Sequence, residues 1–351
     1  MDPVTHAALG LATAVAAAPK SLPLRPVALA GLAAGLLPDA DLLLSSARDP
    51  LFTLEYHRHF THSLAFSPVI ALAGAALSWL ALRPFHPLLA FRLLLLPAWL
   101  AGLSHLFCDA WTSYGTRLWW PVDDTRVALD WVSVIDPMLT LPLALGAGWT
   151  LVSKIRRPAA IGLAWVAVYL FACGIQQQRA HRALAAWSLS QQRPPPSRVT
   201  VKPSFANILV WRAASVHGTT LKTTAIRCGL GAPQILPGAS QEIFPSAESA
   251  AAHFNLPPDS AQARDIRRFH GLSEGWTGLH PGGDPNLIGD LRYATLPHAV
   301  APLWCIRVTP DQPDHAIEWA PQRSLRKAPW PELWQLIRGR HPDLRPIPPD
   351  D

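Results

Sequence analysis

The sequence predicts an α-helical multi-pass membrane bundle, four clear spans plus a short N-terminal helical pair, followed by a small soluble α+β domain. Three observations carry that expectation. Half of the 351 residues are hydrophobic and 15% are charged, with a mean hydropathy of +0.16, against roughly 25% charged in an average soluble chain. The apolar excess lies before Gly174, and the remainder of the chain reads as an ordinary, proline-rich soluble protein. The histidines and aspartates of the apolar half gather in four short clusters. This composition excludes a disordered chain and a disulfide-stapled mini-domain. A net charge of +6, with no basic run interleaved with aromatics, carries no nucleic-acid signal. Four cysteines without a C-x-x-C spacing offer no zinc knuckle or thioredoxin motif.

Taken in order, residues 4–18 are apolar, but Asp2 precedes them and no basic region does. No cleavable signal peptide is therefore expected. Residues 26–37 form the second short segment, which at ~1.5 Å per residue reaches only roughly 18 Å. A re-entrant hairpin is expected from this pair. The four spans are 64–82, 88–107, 137–153 and 159–175, each near the ~17–25 residues that cross a hydrocarbon core. Residues 1–178 thus make the membrane domain. The stretch 179–198, with Arg193-Pro194-Pro195-Pro196-Ser197, reads as a stiff linker. Residues 199–351 form the soluble domain. Short β-branched runs stand at Val199/Val201, Ile208/Val210, Val216 and Leu221/Thr223/Ala225. Helices are expected over 246–254 and 260–270, and further strands over 303–308 and 316–319. The histidines of this domain are scattered without ligand spacing.

The ionisable residues of the membrane half are more informative. His6 lies in the first turn of the first segment, after Asp2-Pro3, a good helix start. Asp39 and Asp41 end the second segment. His57-Arg58-His59-Phe60-Thr61-His62-Ser63 opens the third, and His105 and Asp109 end the fourth. Helix one starts where helix two ends, and helix three starts where helix four ends. All four clusters therefore fall at one membrane face. Singly each has an ordinary explanation: a satisfied histidine, a solvated helix end, a chance i, i+4 pair. Together, at a bilayer rim, unpaired polar groups are costly. A divalent cation removes that cost, because imidazole nitrogens and carboxylate oxygens are ligands for zinc, manganese or iron.

Thr5-His6, the Pro-Asp-x-Asp at 38–41, the His-Arg-x-x-Thr-His-Ser at 57–63 and the His-x-x-x-Asp at 105–109 resemble the YdjM family. That family comprises bacterial inner-membrane proteins described as metal-dependent hydrolases. The resemblance covers roughly residues 1–175 and implies that His6, Asp39, Asp41, His57, His62, His105 and Asp109 hold the metal. His59 occupies a variable position of the motif and is left out. The soluble domain resembles the family's variable tail only loosely.

Such a ligand set exceeds one tetrahedral zinc shell. It suits one or two cations, a pair standing about 3.5–4 Å apart and bridged by an aspartate such as Asp41. A metal-activated water would then attack a phosphorus or carbonyl centre. Asp41 and Arg58 are the catalytic candidates, with Arg58 clamping a phosphate; the competing reading of Arg58 is an arginine that snorkels to head groups. Thr61 and Ser63 are expected to orient the histidines. Asp123, Asp124, Asp130 and Asp136 lie in the loop on the same face, with Asp136 a candidate extra ligand. Trp111, Trp119, Trp120 and Trp131 suit the head-group zone.

The expected function is a membrane-bound metal-dependent hydrolase of a phosphoester or ester on a membrane lipid or lipid-linked substrate. The alternatives are a metal transporter or sensor, and a non-catalytic protein with a structural metal and a partner-binding tail. Loops opposite the motif face carry Lys20, Arg25, Arg83, Arg92, Lys154, Arg156 and Arg157, seven basic residues against four (Arg48, Arg58, Arg117, Arg126) on the motif face. That bias predicts an extracytoplasmic motif face and tail. In that oxidising setting Cys228 and Cys305 are expected to pair.

Overall fold

The protein is described by a computed structural model for residues 1–192, 194–322 and 328–347. Two units divide the chain. The first holds Met1–Leu44, Tyr56–Gly174 and Phe205–Asn207; the second holds Ser45–Glu55, Ile175–Ser204 and Ile208–Asp351.

In the first unit, α1 (Pro3–Ala17) starts where the Asp2 carboxylate accepts the amides of Val4 and Thr5, with proline in the first turn. Helix α2 (Leu24–Leu36) runs into a 3-10 helix, Leu37–Leu43, that carries Asp39 and Asp41. Small residues bring α1 and α2 to backbone contact. A Cβ added at Gly10 would lie 2.5 Å from the Gly31 carbonyl oxygen, and one at Gly35 would lie 2.8 Å from that of His6. After the short α3 (Phe52–Tyr56), which up to Glu55 belongs to the second unit, comes α4 (Ser67–Leu82), whose Gly74 leaves room for the Ala34 backbone. The unit continues with α5 (Arg92–Ala110), α6 (Pro137–Ser153) and the part of α7 (Arg157–Ser190) up to Gly174.

Among the described residues, three helices are long and apolar enough to cross a membrane: Leu24–Leu43, Arg92–Ala110 and Arg157–Ser190. The expected four clear spans are thus found in part, three by single helices and a fourth only if a bent pair counts as one span. Ser67–Leu82 qualifies only together with Phe52–His62, across an 82° bend. Pro137–Ser153, at 17 residues, stays among the shorter apolar helices. The second segment, expected to be short over residues 26–37, reaches full length because proline in the first turn of a 3-10 helix lets the helical path continue.

The stretch expected as a linker also begins later, for α7 is helical to Ser190. No glycine or proline interrupts it after Gly174, and Ala180, Ala183, Leu184 and Trp187 repeat at helical spacing. That stripe is buried with Val201, Trp211, Ile226 and Ile235. Arg193 of the linker lies outside the described residues.

The second unit contains two antiparallel sheets. The first has the order β1 (Arg198–Pro203), β2 (Val210–His217), β3 (Thr220–Arg227) and β4 (Gln234–Glu242), with β9 (Arg345–Pro346) at its edge. Between the sheets in sequence lie α8 (Ala247–His253), closed by a Ser246/Ser249 capping box, and α9 (Ala261–Leu272), capped by Ser260. The second sheet runs β5 (Thr277–Leu279), β6 (Leu287–Asp290), β7 (Cys305–Arg307) and β8 (Glu318–Trp319), and α10 (Trp330–Arg338) comes after it. The expected helices and the strands at 303–308 and 316–319 are present, whereas β4, β5, β6 and α10 lie outside the expected elements.

Cys228 and Cys305 are free thiols, which corrects the expected disulfide. Cys228 packs beside Trp211 and Ile235, while Cys305 sits on β7 of the other sheet. Burial pushes their thiols up, to about 11 and about 12 respectively.

Candidate metal centre

The motif residues reach one place because their elements do. His6 comes from the first turns of α1, Asp39 and Asp41 from the 3-10 helix after α2, His57 and His62 from the turn before α4, and His105 and Asp109 from the last turns of α5. His6 and His105 stack with ring centroids 3.6 Å apart. His62 Nε2 lies 3.0 Å from His105 Nε2, 3.2 Å from Asp109 Oδ2 and 3.4 Å from Asp39 Oδ1. His6 Nε2 is 3.2 Å from Asp109 Oδ1. His57 Nδ1 stands 2.9 Å from Asp41 Oδ1.

Two overlapping groups of ligand atoms result, each with its atoms within 4.8 Å of one another. One is Asp39, His62, His105 and Asp109; the other is Asp39, Asp41 and His57. Asp39 belongs to both. The shared position expected of Asp41 is thus held by its neighbour two residues earlier.

The surrounding hydrogen bonds orient these ligands. His105 Nδ1 donates to the Gly35 carbonyl at 2.7 Å, since a carbonyl only accepts; in the neutral ring Nε2 is then the free acceptor. Thr61 Oγ1 donates to Asp41 Oδ2 at 2.8 Å and lies 2.9 Å from His62 Nδ1. Ser63, expected to do the same, instead donates to the Phe60 carbonyl and accepts the Phe66 amide, so it shapes the turn. Arg58 is buried with its guanidinium turned inward: Nη2 meets Asp109 Oδ1 at 2.9 Å, and Nη1 donates to Thr112 Oγ1 at 2.9 Å and to the Asp109 carbonyl at 3.3 Å. Its backbone, at φ +61°, is left-handed and aims its amide at Asp41 Oδ2, 3.1 Å away. The Met1 ammonium also contacts Asp109 Oδ1.

The residues fit a divalent cation. Three aspartates and four histidines meet one guanidinium and one ammonium, and Nδ1 and Nε2 of His6 and Oδ2 of Asp109 are buried with no hydrogen-bond partner among the described residues. Nitrogen and carboxylate oxygen donors suit zinc, manganese or iron.

Asp136 is not among these ligands. It caps α6 through the amides of Met138 and Leu139 and accepts the Tyr169 hydroxyl at 2.9 Å. His59 stands apart, 3.8 Å from Asp124 and beside Trp120. Sequence reasoning missed Thr112 and Tyr114, whose ring lies 5.1 Å from the Arg58 guanidinium. Helical spacing from Asp109 points to Thr112; nothing in the pattern singles out Tyr114.

The family model described as YdjM inner membrane protein matches residues 1–180, half of the chain. This chain belongs to that family. Its membership and its apolar helices place it in the inner membrane. Among curated relatives, inner membrane protein YbcI of Escherichia coli (strain K12) is 34% identical over 136 residues, 36% of this chain and 72% of YbcI. The Bacillus subtilis (strain 168) protein described as uncharacterized protein YfhP is 32% identical over 129 residues, covering 35% of this chain and 36% of YfhP. No solved structure matches the chain.

Proposed function

We propose that this YdjM-family protein is a membrane-bound metal-dependent hydrolase acting on a phosphoester or ester of a membrane-associated substrate. One observation supports the reading: Asp39 is common to two ligand groups, beside buried His6 and Asp109 atoms that make no hydrogen bond among the described residues. Asp39, His62, His105 and Asp109 would hold one cation, with His6 next to them, and Asp39, Asp41 and His57 would hold a second. A bound divalent cation supplies Lewis acidity and a nucleophilic water at neutral pH.

The chain's own groups do the rest. Asp41, held by His57, Thr61 and the Arg58 amide, is the carboxylate placed to take a proton. Arg58 balances and fixes Asp109, a task its inward geometry favours over snorkelling to head groups. The bias of basic residues toward the opposite loops supports an extracytoplasmic metal centre and tail. Alkaline phosphatase fused after the tail should be active, and a fluorescent protein that folds only in the cytoplasm should stay dark; the reverse pattern overturns the orientation.

The full chain, purified in detergent, is assayed with phosphomonoester, phosphodiester and carboxyl-ester reporters before and after chelation. Hydrolysis of one class, lost with the chelator and regained with zinc or manganese, is the expected result. A metal-loaded protein that turns over none of them contradicts the hydrolase. Cation flux in proteoliposomes would then favour a transporter.

A further inference from the structure

Asp41 and His57 stand 16 positions apart, and the chain between them is not left loose. Ser45–Glu55 belongs to the second unit. Leu51 is fully buried in the cluster that includes Phe254, Ile266, Phe269, Ile288 and Ile306, with Leu54 packed against it. The segment is also braced from within. Ser46 Oγ accepts the amides of Arg48 and Asp49 at 3.2 Å, and Asp49 Oδ1 accepts that of Leu51 at 3.1 Å.

Arg268 of α9 fastens both halves of this segment. Its Nη2 lies 2.8 Å from Asp49 Oδ2 and 2.6 Å from Glu55 Oε2, and its Nη1 meets Asp265, one turn earlier on α9, at 3.1 Å. A planar guanidinium fork suits two carboxylates at once. Only Tyr56 separates Glu55 from His57. Bringing together the ends of an unrestrained loop costs entropy, and ligands that must be ordered on binding weaken it. Here the segment is ordered in advance.

We propose that Arg268 is a positioning residue for the metal centre: by clamping Asp49 and Glu55, it holds the segment that joins Asp39 and Asp41 to His57 and so sets how tightly the Asp39–Asp41–His57 group binds a divalent cation. The affinity half of this inference rests on the metal-centre reading above; the ordering half does not.

The test uses the full chain with Arg268→Ala and Leu51→Ala, with Arg268→Lys as the conservative variant and Arg264→Ala, one turn away on α9, as control. Amide hydrogen exchange over residues 42–63 is measured in metal-free protein, and zinc and manganese affinities by chelator competition. Both disruptive variants should speed exchange beyond Glu55, at residues 56–62, and weaken cation binding about tenfold. Arg268→Lys should recover part of this, and Arg264→Ala should match the wild type. Faster exchange confined to residues 45–55, with wild-type affinity, overturns the proposal. If the wild type binds neither cation, the metal-centre reading falls, and exchange at residues 56–62 alone decides: raised in both variants it supports the clamp, unchanged it overturns it.

Discussion

Buried charge is handled in opposite ways in the two units. In the tail, Arg212 is enclosed and donates to the carbonyls of Leu291, Arg292, Pro297 and Ala299, and burial pulls its guanidinium down to about 10. Arg292 is gripped by both oxygens of Asp290 and by Glu274. These two arginines are closed off by the protein itself. At the candidate metal centre three aspartates and four histidines gather, Arg58 and the Met1 ammonium both pair with Asp109 alone, and atoms of His6 and Asp109 remain without hydrogen bonds among the described residues. A closed buried network is scaffold. An open one, rich in carboxylates, has a place for a cation.

That contrast is breakable from both sides. Arg212→Met strands four carbonyls and should destabilise the tail by about 3–5 kcal/mol, seen as an earlier transition in denaturant followed by tryptophan fluorescence. An unchanged transition would mean the tail network is not closed in the sense described. Thr61→Val removes the hydrogen bond to Asp41 and the contact with His62. It should weaken metal binding about 10–100-fold while leaving the tail transition where it was. The smallest effect concerns the thiols. With their pKa values raised by burial, Cys228 and Cys305 should resist alkylation at pH 8 in the folded chain and react fully on unfolding without any reductant. A requirement for reductant would restore the disulfide.

Much of the candidate metal centre was legible in the sequence. Ionisable residues within apolar segments are conspicuous, and alternating chain direction places His6, Asp39, His57 and His105 at one end. What was hidden depends on backbone detail. Asp39 rather than Asp41 is shared because a 3-10 helix, with its tighter turn, presents the two carboxylates. The close approach of α1 and α2 comes from Gly10, Gly31 and Gly35, which leave no hydropathy signal. Leu51 reads as one loop leucine among several, and only the long-range core shows where it is buried. In α7 the loss of hydropathy after Ile175 resembles the end of a helix, although hydropathy reports surroundings and not backbone conformation.

The central claim is that this cluster holds metal, and elemental analysis of the purified full chain tests it most directly. Wild type, His57→Ala, His105→Ala and Asp39→Ala are compared after identical extraction from the membrane and loading with zinc, manganese or iron. The account predicts divalent metal in the wild type, reduced content in the two histidine variants, and the deepest loss in Asp39→Ala, because Asp39 serves both ligand groups. Each variant should still insert in the membrane. A wild type that retains no divalent metal, or an Asp39→Ala protein with full wild-type content, would contradict it.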